Sequence, residues 1–225
     1  MKTNTMEISP EFLAASEIID YNDPEVRVLA QEIRGAHADD SIIARRCFAW
    51  VRDQIQHSLD YHREELTCLA SNVLAQRTGY CYAKSHLLAA LLRANGIPTG
   101  FCYQRLIVSE DEPQYCLHGM NAVYLKEHGW YRIDARGNRS GINAQFSPPV
   151  EKLAFSTSNP GEVDFREVWA QPLPMIVEAL QHHRNAQSLA EHLPDLSTSE
   201  MNVLQVESAI PFMILNCQST TLRVF

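Results

Sequence analysis

No stretch of this 225-residue chain approaches the roughly 20 consecutive apolar residues needed to span a bilayer, and none reads as a membrane helix. Its amino terminus, Met1-Lys2-Thr3-Asn4-Thr5-Met6-Glu7, has no apolar segment of signal-peptide length, so a cytoplasmic protein is expected. Basic runs are missing as well. With a net charge of −8, nucleic acid and anionic membranes are not the expected partners. The six cysteines (47, 68, 81, 102, 116 and 217) form no Cys-x-x-Cys pair and no tight disulfide framework. In a reducing compartment most of them should be buried thiols acting as small apolar side chains. The adjacent His182 and His183 have no zinc-like spacing around them, and the set Cys102, Cys116 and His118 is a weaker use of His118 than the one below. Neither a metal nor a cofactor is expected. Internal repeats and low-complexity tracts are absent.

What remains is the composition of a globular domain, 45% hydrophobic and 20% charged, long enough for one substantial core. Residues 1–195 are expected to form that domain. The tail 196–225 has no clean period and no assigned role. Asn22-Asp23-Pro24 reads as a cap and helix start, followed by a stripe of Val26, Leu29, Ala30 and Ile33. A second helix starts near Asp39-Asp40-Ser41. Residues 57–68, rich in His, Tyr and Glu, read as a surface loop. A short helix from Leu69 to Gln76 ends at Thr78-Gly79, and a longer one runs from there to about Ala94. Its expected buried stripe is Leu87, Leu88, Leu91 and Leu92, and Asn95-Gly96 before Pro98 stops it. Beyond Gly100 the period becomes strand-like, with strands over Phe101–Val108, Tyr115–Leu125 and Trp130–Asp134. Lys126-Glu127-His128-Gly129 is a hairpin turn by composition. Residues 135–171 read as wrapping loop and Pro174–Leu193 as helix.

The chemistry lies where these elements meet. Cys81 falls in the first turn of its helix, where unpaired N–H groups and the helix dipole favour a thiolate. His118 sits on one predicted strand and Asp134 ends the next. In an antiparallel hairpin, paired residue numbers add to a constant. A turn centred on Lys126-Glu127 puts it at about 252–254. An even value puts His118 and Asp134 on one face, directly opposite or one diagonal step apart; an odd value separates them and ends the reading. On one face, Cys81 is the candidate nucleophile, His118 the acid/base, and Asp134 the group that fixes the imidazole tautomer.

These residues resemble the transglutaminase-like superfamily of thiol enzymes, related to the papain-like fold. The likeness lies in Gly79-Tyr80-Cys81-Tyr82-Ala83-Lys84, in Leu91-Leu92-Arg93-Ala94-Asn95-Gly96-Ile97-Pro98, in His118-Gly119-Met120-Asn121, and in Gly129-Trp130-Tyr131-Arg132-Ile133-Asp134. Small bacterial transglutaminase-like proteins, some labelled cysteine proteases, are similar over roughly residues 10–195. The resemblance implies an α+β fold, a helical layer carrying Cys81 against an antiparallel sheet carrying His118 and Asp134. By that likeness Cys81 is the nucleophile, His118 the acid/base and Asp134 the orienting group of acyl transfer, while the substrate is left open; a peptide or protein amide is the expected one. Two departures stand out. Met120 replaces the aromatic that many members carry two places after the histidine, and there is no room for the extra β-domains of the large cross-linking enzymes.

Hydrolysis of an amide, peptide or isopeptide bond is the leading expectation. Transamidation to an amine and a non-catalytic binding protein on the same fold are the alternatives. Gln76, His57 and Trp50 are candidates for a side-chain donor to an oxyanion. Arg136 and Asn138, just past Asp134, are candidates either for substrate contact or for holding their own loop together.

Overall fold

The computed structural model describes residues 8–109, 114–196 and 210–211. Helix α1 (Pro24–Arg34) begins at the expected cap: the Asp23 carboxylate accepts from the N–H groups of Glu25 and Val26. Pro24 takes a first-turn position, where no N–H is required. Helix α2 (Asp40–Gln54) is capped by Asp39 in the same way. It leads into β1 (Gln56–His57), and α3 (Ala70–Gln76) leads through β2 (Thr78–Gly79) into α4 (Cys81–Ala94).

β1 and β2 pair in parallel, with His57 opposite Gly79. The surface-loop reading of 57–68 is therefore corrected at both ends, because His57, Ser58, Thr67 and Cys68 are buried. Two-residue strands are too short to leave a period in a sequence. The Thr67 hydroxyl closes the segment by donating to the carbonyl of Thr78 at 2.9 Å.

α4 is not amphipathic. Every residue from Cys81 to Arg93 is buried, so the expected leucine stripe is only part of a helix enclosed on all sides. Helices α1, α2 and α3 pack on it, and so does the sheet. Its polar side chains are compensated within the core. Arg93, for example, donates to the carbonyls of Thr99, Ala14 and Ala170.

The sheet is antiparallel in the order β5-β4-β3-β6, formed by β3 (Thr99–Ser109), β4 (Gln114–Leu125), β5 (Gly129–Ile133) and β6 (Val163–Asp164). This is the expected α+β arrangement, with the helical layer on an antiparallel sheet. The layers come close at Gly119 in β4. A Cβ there would lie 2.8 Å from Cδ1 of Tyr82 and 3.4 Å from its Cα. Only a glycine lets the first turn of α4 come down onto this strand. The Tyr82 hydroxyl also donates to the carbonyl of Leu117, and Asn121 Nδ2 donates to that of Ser85 at 3.1 Å.

The wrapping segment from 135 onward contains β7 (Glu167–Val168). The helix expected over Pro174–Leu193 is broken into α5 (Pro174–His182) and α6 (Ala186–Ala190). Asn185 makes the break, because its side chain accepts from Ser188 N at 2.8 Å and so starts a new helix. A last strand, β8 (Ile210–Pro211), pairs with β7. Apart from Leu196 and the backbone of 210–211, the tail 196–225 lies outside the described residues, as do residues 110–113. Among the described residues no helix is long and apolar enough to cross a membrane.

Candidate active site

Cys81 is the first residue of α4, buried at 8% exposure beneath a cleft of about 640 Å³. Thr78-Gly79, expected as a turn, is strand β2, and it delivers Cys81 there. A Cβ on Gly79 would crowd the Ala83 side chain at 3.0 Å and the Thr67 hydroxyl at 3.1 Å, so the strand needs glycine where it enters the helix. The hairpin register decides the partners. Asn121 faces Ile133 and Ala122 faces Arg132, so paired numbers add to an even constant. His118 and Asp134 are then one diagonal step apart on one face, and His118 Nε2 lies 2.8 Å from Asp134 Oδ2. The remaining ring nitrogen, Nδ1, is the one left for the sulfur.

Asp134 is fully enclosed, and besides His118 it accepts backbone N–H groups of Arg136 at 3.1 Å and Ala154 at 3.0 Å. Burial alone would raise its pKa; the His118 ring and these N–H donors outweigh burial and hold it below the usual carboxylate range. Burial is also the largest single influence on His118, and it disfavours the charged ring. The Asp134 carboxylate, the Cys81 sulfur and hydrogen bonds to both overcome it and push the imidazole up to about 10. Phe155 stands edge-on to the ring at 5.0 Å and walls it from solvent.

The other described thiols are poor competitors. Burial pushes Cys68 up to about 11, Cys47 and Cys116 to about 12, and Cys102 higher still. All five described cysteines are free. No group of three or more histidine, cysteine or acidic side chains among the described residues could hold a metal ion.

Of the three oxyanion candidates, only His57 reaches the cleft. Gln76 is exposed, and Trp50 lies under the guanidinium of Arg77 at 4.9 Å. His57 is buried, and its Nδ1 has no hydrogen-bond partner. Asp60 Oδ1 is 3.8 Å away, beyond a hydrogen bond, because Arg136 takes both Asp60 oxygens at 2.6 and 3.0 Å. Burial, then the positive charge of Arg136, bring His57 down to about 3, so the ring is neutral. Arg136 thus lines the cleft, while Asn138 only closes its own loop, holding Ala144 through its N–H at 2.8 Å and its carbonyl at 3.2 Å.

A second buried cation lies behind the site. Lys84, one turn after Cys81, donates to the carbonyls of Arg52 and Ile55, and burial followed by repulsion from Arg136 lowers it to about 7. It stands inside the sequence motif around Cys81, but nothing in the sequence signals its burial. Asp60 and the Ala154-Phe155 segment were likewise missed, since they approach the site only through tertiary packing.

A family model described as the transglutaminase-like superfamily matches residues 27–135, a stretch that holds Cys81, His118 and Asp134. These residues belong to that superfamily. Solved structures similar to the chain include a protein from Cytophaga hutchinsonii provisionally named a cysteine protease, at 21% identity and a TM-score of 0.44 over 56% of this chain and 40% of that one. The periplasmic domain of TgpA from Pseudomonas aeruginosa aligns at 22% identity, TM-score 0.44, over 57% of this chain and 48% of its own. An arylamine N-acetyltransferase from Mycobacterium abscessus aligns at 18% identity, TM-score 0.45, over 74% and 71%. The chain therefore spans less than half the length of the first two. No curated protein matches it. Within the transglutaminase-like superfamily a cysteine-dependent enzyme is the supported class.

Proposed function

We propose that the chain is a thiol-dependent acyl-transfer enzyme that hydrolyses an amide, peptide or isopeptide bond, with Cys81 as nucleophile, His118 as acid/base and Asp134 as its orienting partner. One observation carries the reading: the 2.8 Å bond from His118 Nε2 to Asp134 turns the other ring nitrogen to a sulfur at the start of a helix. Cys81 Sγ attacks the carbonyl carbon, the imidazolium of His118 protonates the leaving amine, and a thioester remains. Water, deprotonated by His118, then releases the acid.

The oxyanion takes the backbone N–H of Cys81, one of the first-turn donors of α4 without a carbonyl partner, and a second donor from His57. Because Arg136 occupies Asp60, the His57 ring is not committed to carry its proton on Nδ1 and is available as an Nε2–H donor. The free thiols agree with a reducing, cytoplasmic setting.

Limited iodoacetamide, read by peptide mass spectrometry, should alkylate Cys81 ahead of the other five cysteines. Cys81→Ala should abolish turnover of amide substrates while leaving the unfolding transition in place. Uniform labelling of the six thiols, or turnover surviving in Cys81→Ala, would remove this reading. Running the assay with and without a primary amine separates hydrolysis from transamidation, since only a transamidase incorporates the amine.

A further inference from the structure

Among the described residues two guanidinium groups line the cleft with Cys81, and they share one carboxylate. Arg136 is buried and takes both oxygens of Asp60. Arg139 reaches the same carboxylate only through Nε, at 3.4 Å, and its side chain is 55% exposed. So long and exposed a contact, on an oxygen already bonded, contributes little to stability.

Yet Arg139 is firmly presented. Its N–H and carbonyl pair with those of Ile142 at 3.2 and 2.9 Å, closing a tight turn in which Gly141 has a φ of 80°. Only Nε is used on Asp60, and the guanidinium of this cleft-lining residue keeps two Nη groups with which to take a carboxylate in a two-point fork.

The carboxylates around it are committed elsewhere. Asp60 balances Arg136, and His57 is neutral. Glu162, the one acidic side chain that lines the cleft among the described residues, keeps its charge but is turned to its own loop, where it accepts from the N–H groups of Ile107, Ser158 and Asn159 and makes no ion pair with Arg139. Arg139 thus lines the cleft of the nucleophile without a carboxylate of its own among the described residues, in a chain whose net charge is −8.

We propose that Arg139 is a specificity residue that receives a carboxylate of the substrate, so that the preferred substrates are acidic: amides carrying a carboxylate close to the scissile bond. The inference rests on the acyl-transfer reading for its substrate class. The carboxylate has two sources, an acidic side chain or a free chain terminus.

Two measurements on the full chain test it. The first needs no substrate. Iodoacetate and iodoacetamide deliver the same alkyl carbon and differ in charge, so the ratio of their rates at Cys81, normalised to a small free thiol, reports the field at the sulfur. Arg139→Gln should lower that ratio at least fivefold and Arg139→Glu should lower it further. A ratio unchanged in both variants overturns the proposal.

The second measurement is kcat/KM for fluorogenic peptides bearing Glu, Gln or Lys beside the scissile amide, each with a free or amidated carboxyl terminus. Wild type should favour a carboxylate by tenfold or more, the Glu or free-terminus arm showing its source, and Arg139→Glu should favour Lys. Turnover indifferent to charge in wild type overturns the substrate class. If wild type and Cys81→Ala alike turn over none of the peptides, the acyl-transfer reading fails and the acidic-substrate class with it, while the alkylation ratio still decides whether Arg139 draws an anion to the sulfur.

Discussion

Two histidines line the same cleft, each beside an aspartate, and they end in opposite charge states. His118 is held as a cation, up to about 10, while His57 is held neutral, down to about 3. Both rings are buried, so desolvation alone does not separate them. The difference is in what else each carboxylate serves. The other hydrogen bonds to Asp134 among the described residues come from backbone N–H groups, which stabilise its charge without cancelling it, and it stands 2.8 Å from its histidine. Asp60 is claimed by the guanidinium of Arg136, stands 3.8 Å from its histidine, and brings along a positive charge that opposes protonation. An adjacent carboxylate charges a histidine only when no stronger cation has taken it. The contrast matches the two proposed tasks: a proton carrier beside the sulfur, and a neutral N–H donor for the oxyanion.

The strongest break in that comparison is Asp134→Asn. The amide keeps the volume but removes the countercharge that holds the imidazolium and its tautomer. A fall in kcat/KM of about 10³–10⁴-fold is expected, the scale on which a triad loses its orienting carboxylate. The alkylation rate at Cys81 should fall with it. A loss smaller than about tenfold would show that Asp134 does not set the state of His118.

Next in size is His57. Replacing it by Ala should cost about 10²-fold in kcat with KM little changed, because an oxyanion donor acts in the transition state. His57→Gln, which restores an N–H, should recover a large part of the loss. A change confined to KM, or no rescue by Gln, would return His57 to a purely structural role in the cleft wall.

The two pairs also differ in how far the sequence reveals them. Cys81, His118 and Asp134 are each set by local signals: the Thr78-Gly79 turn before a helical run, the Lys126–Gly129 turn, and the two-residue period that fixes which face a strand residue takes. The other pair depends on a contact across 76 positions, Asp60 to Arg136, for which a single sequence offers no period or spacing. Its strand β1 is two residues long and borrows its partner from β2. The all-round burial of α4 was hidden for a related reason. Lys84, Ser85, His86 and Arg93 lie outside the expected leucine stripe, yet backbone carbonyls elsewhere in the fold receive Lys84, Arg93 and the ring of His86. Asn185 was visible as a residue, but its role as a new cap depended on where α5 stopped.

The smallest expected effect sets His118 against Lys84, a buried base displaced in the opposite direction. His118, raised from its ordinary 6.5 to about 10, binds its proton in the folded state after the unfolded chain has released it. Its contribution to stability is complete below about pH 6.5 and declines as pH rises toward 10, at no more than about 1.4 kcal/mol per pH unit. Lys84, lowered from 10.5 to about 7, is the reverse: the unfolded chain binds the proton that the fold rejects, so its penalty is full below pH 7 and fades as pH rises. Between pH 7 and 8 the two slopes oppose each other and stability should change little, apart from a smaller decline, common to all three proteins, as the unfolded cysteines begin to titrate. Lys84→Met should expose the decline, about 1 kcal/mol lost across that unit of pH, and His118→Asn should expose a rise of similar size. Urea midpoints at pH 7.0 and 8.0 for the three proteins measure it. Parallel shifts in both variants, or a steep wild type, would mean that one of these two charges is not held as the geometry around it requires.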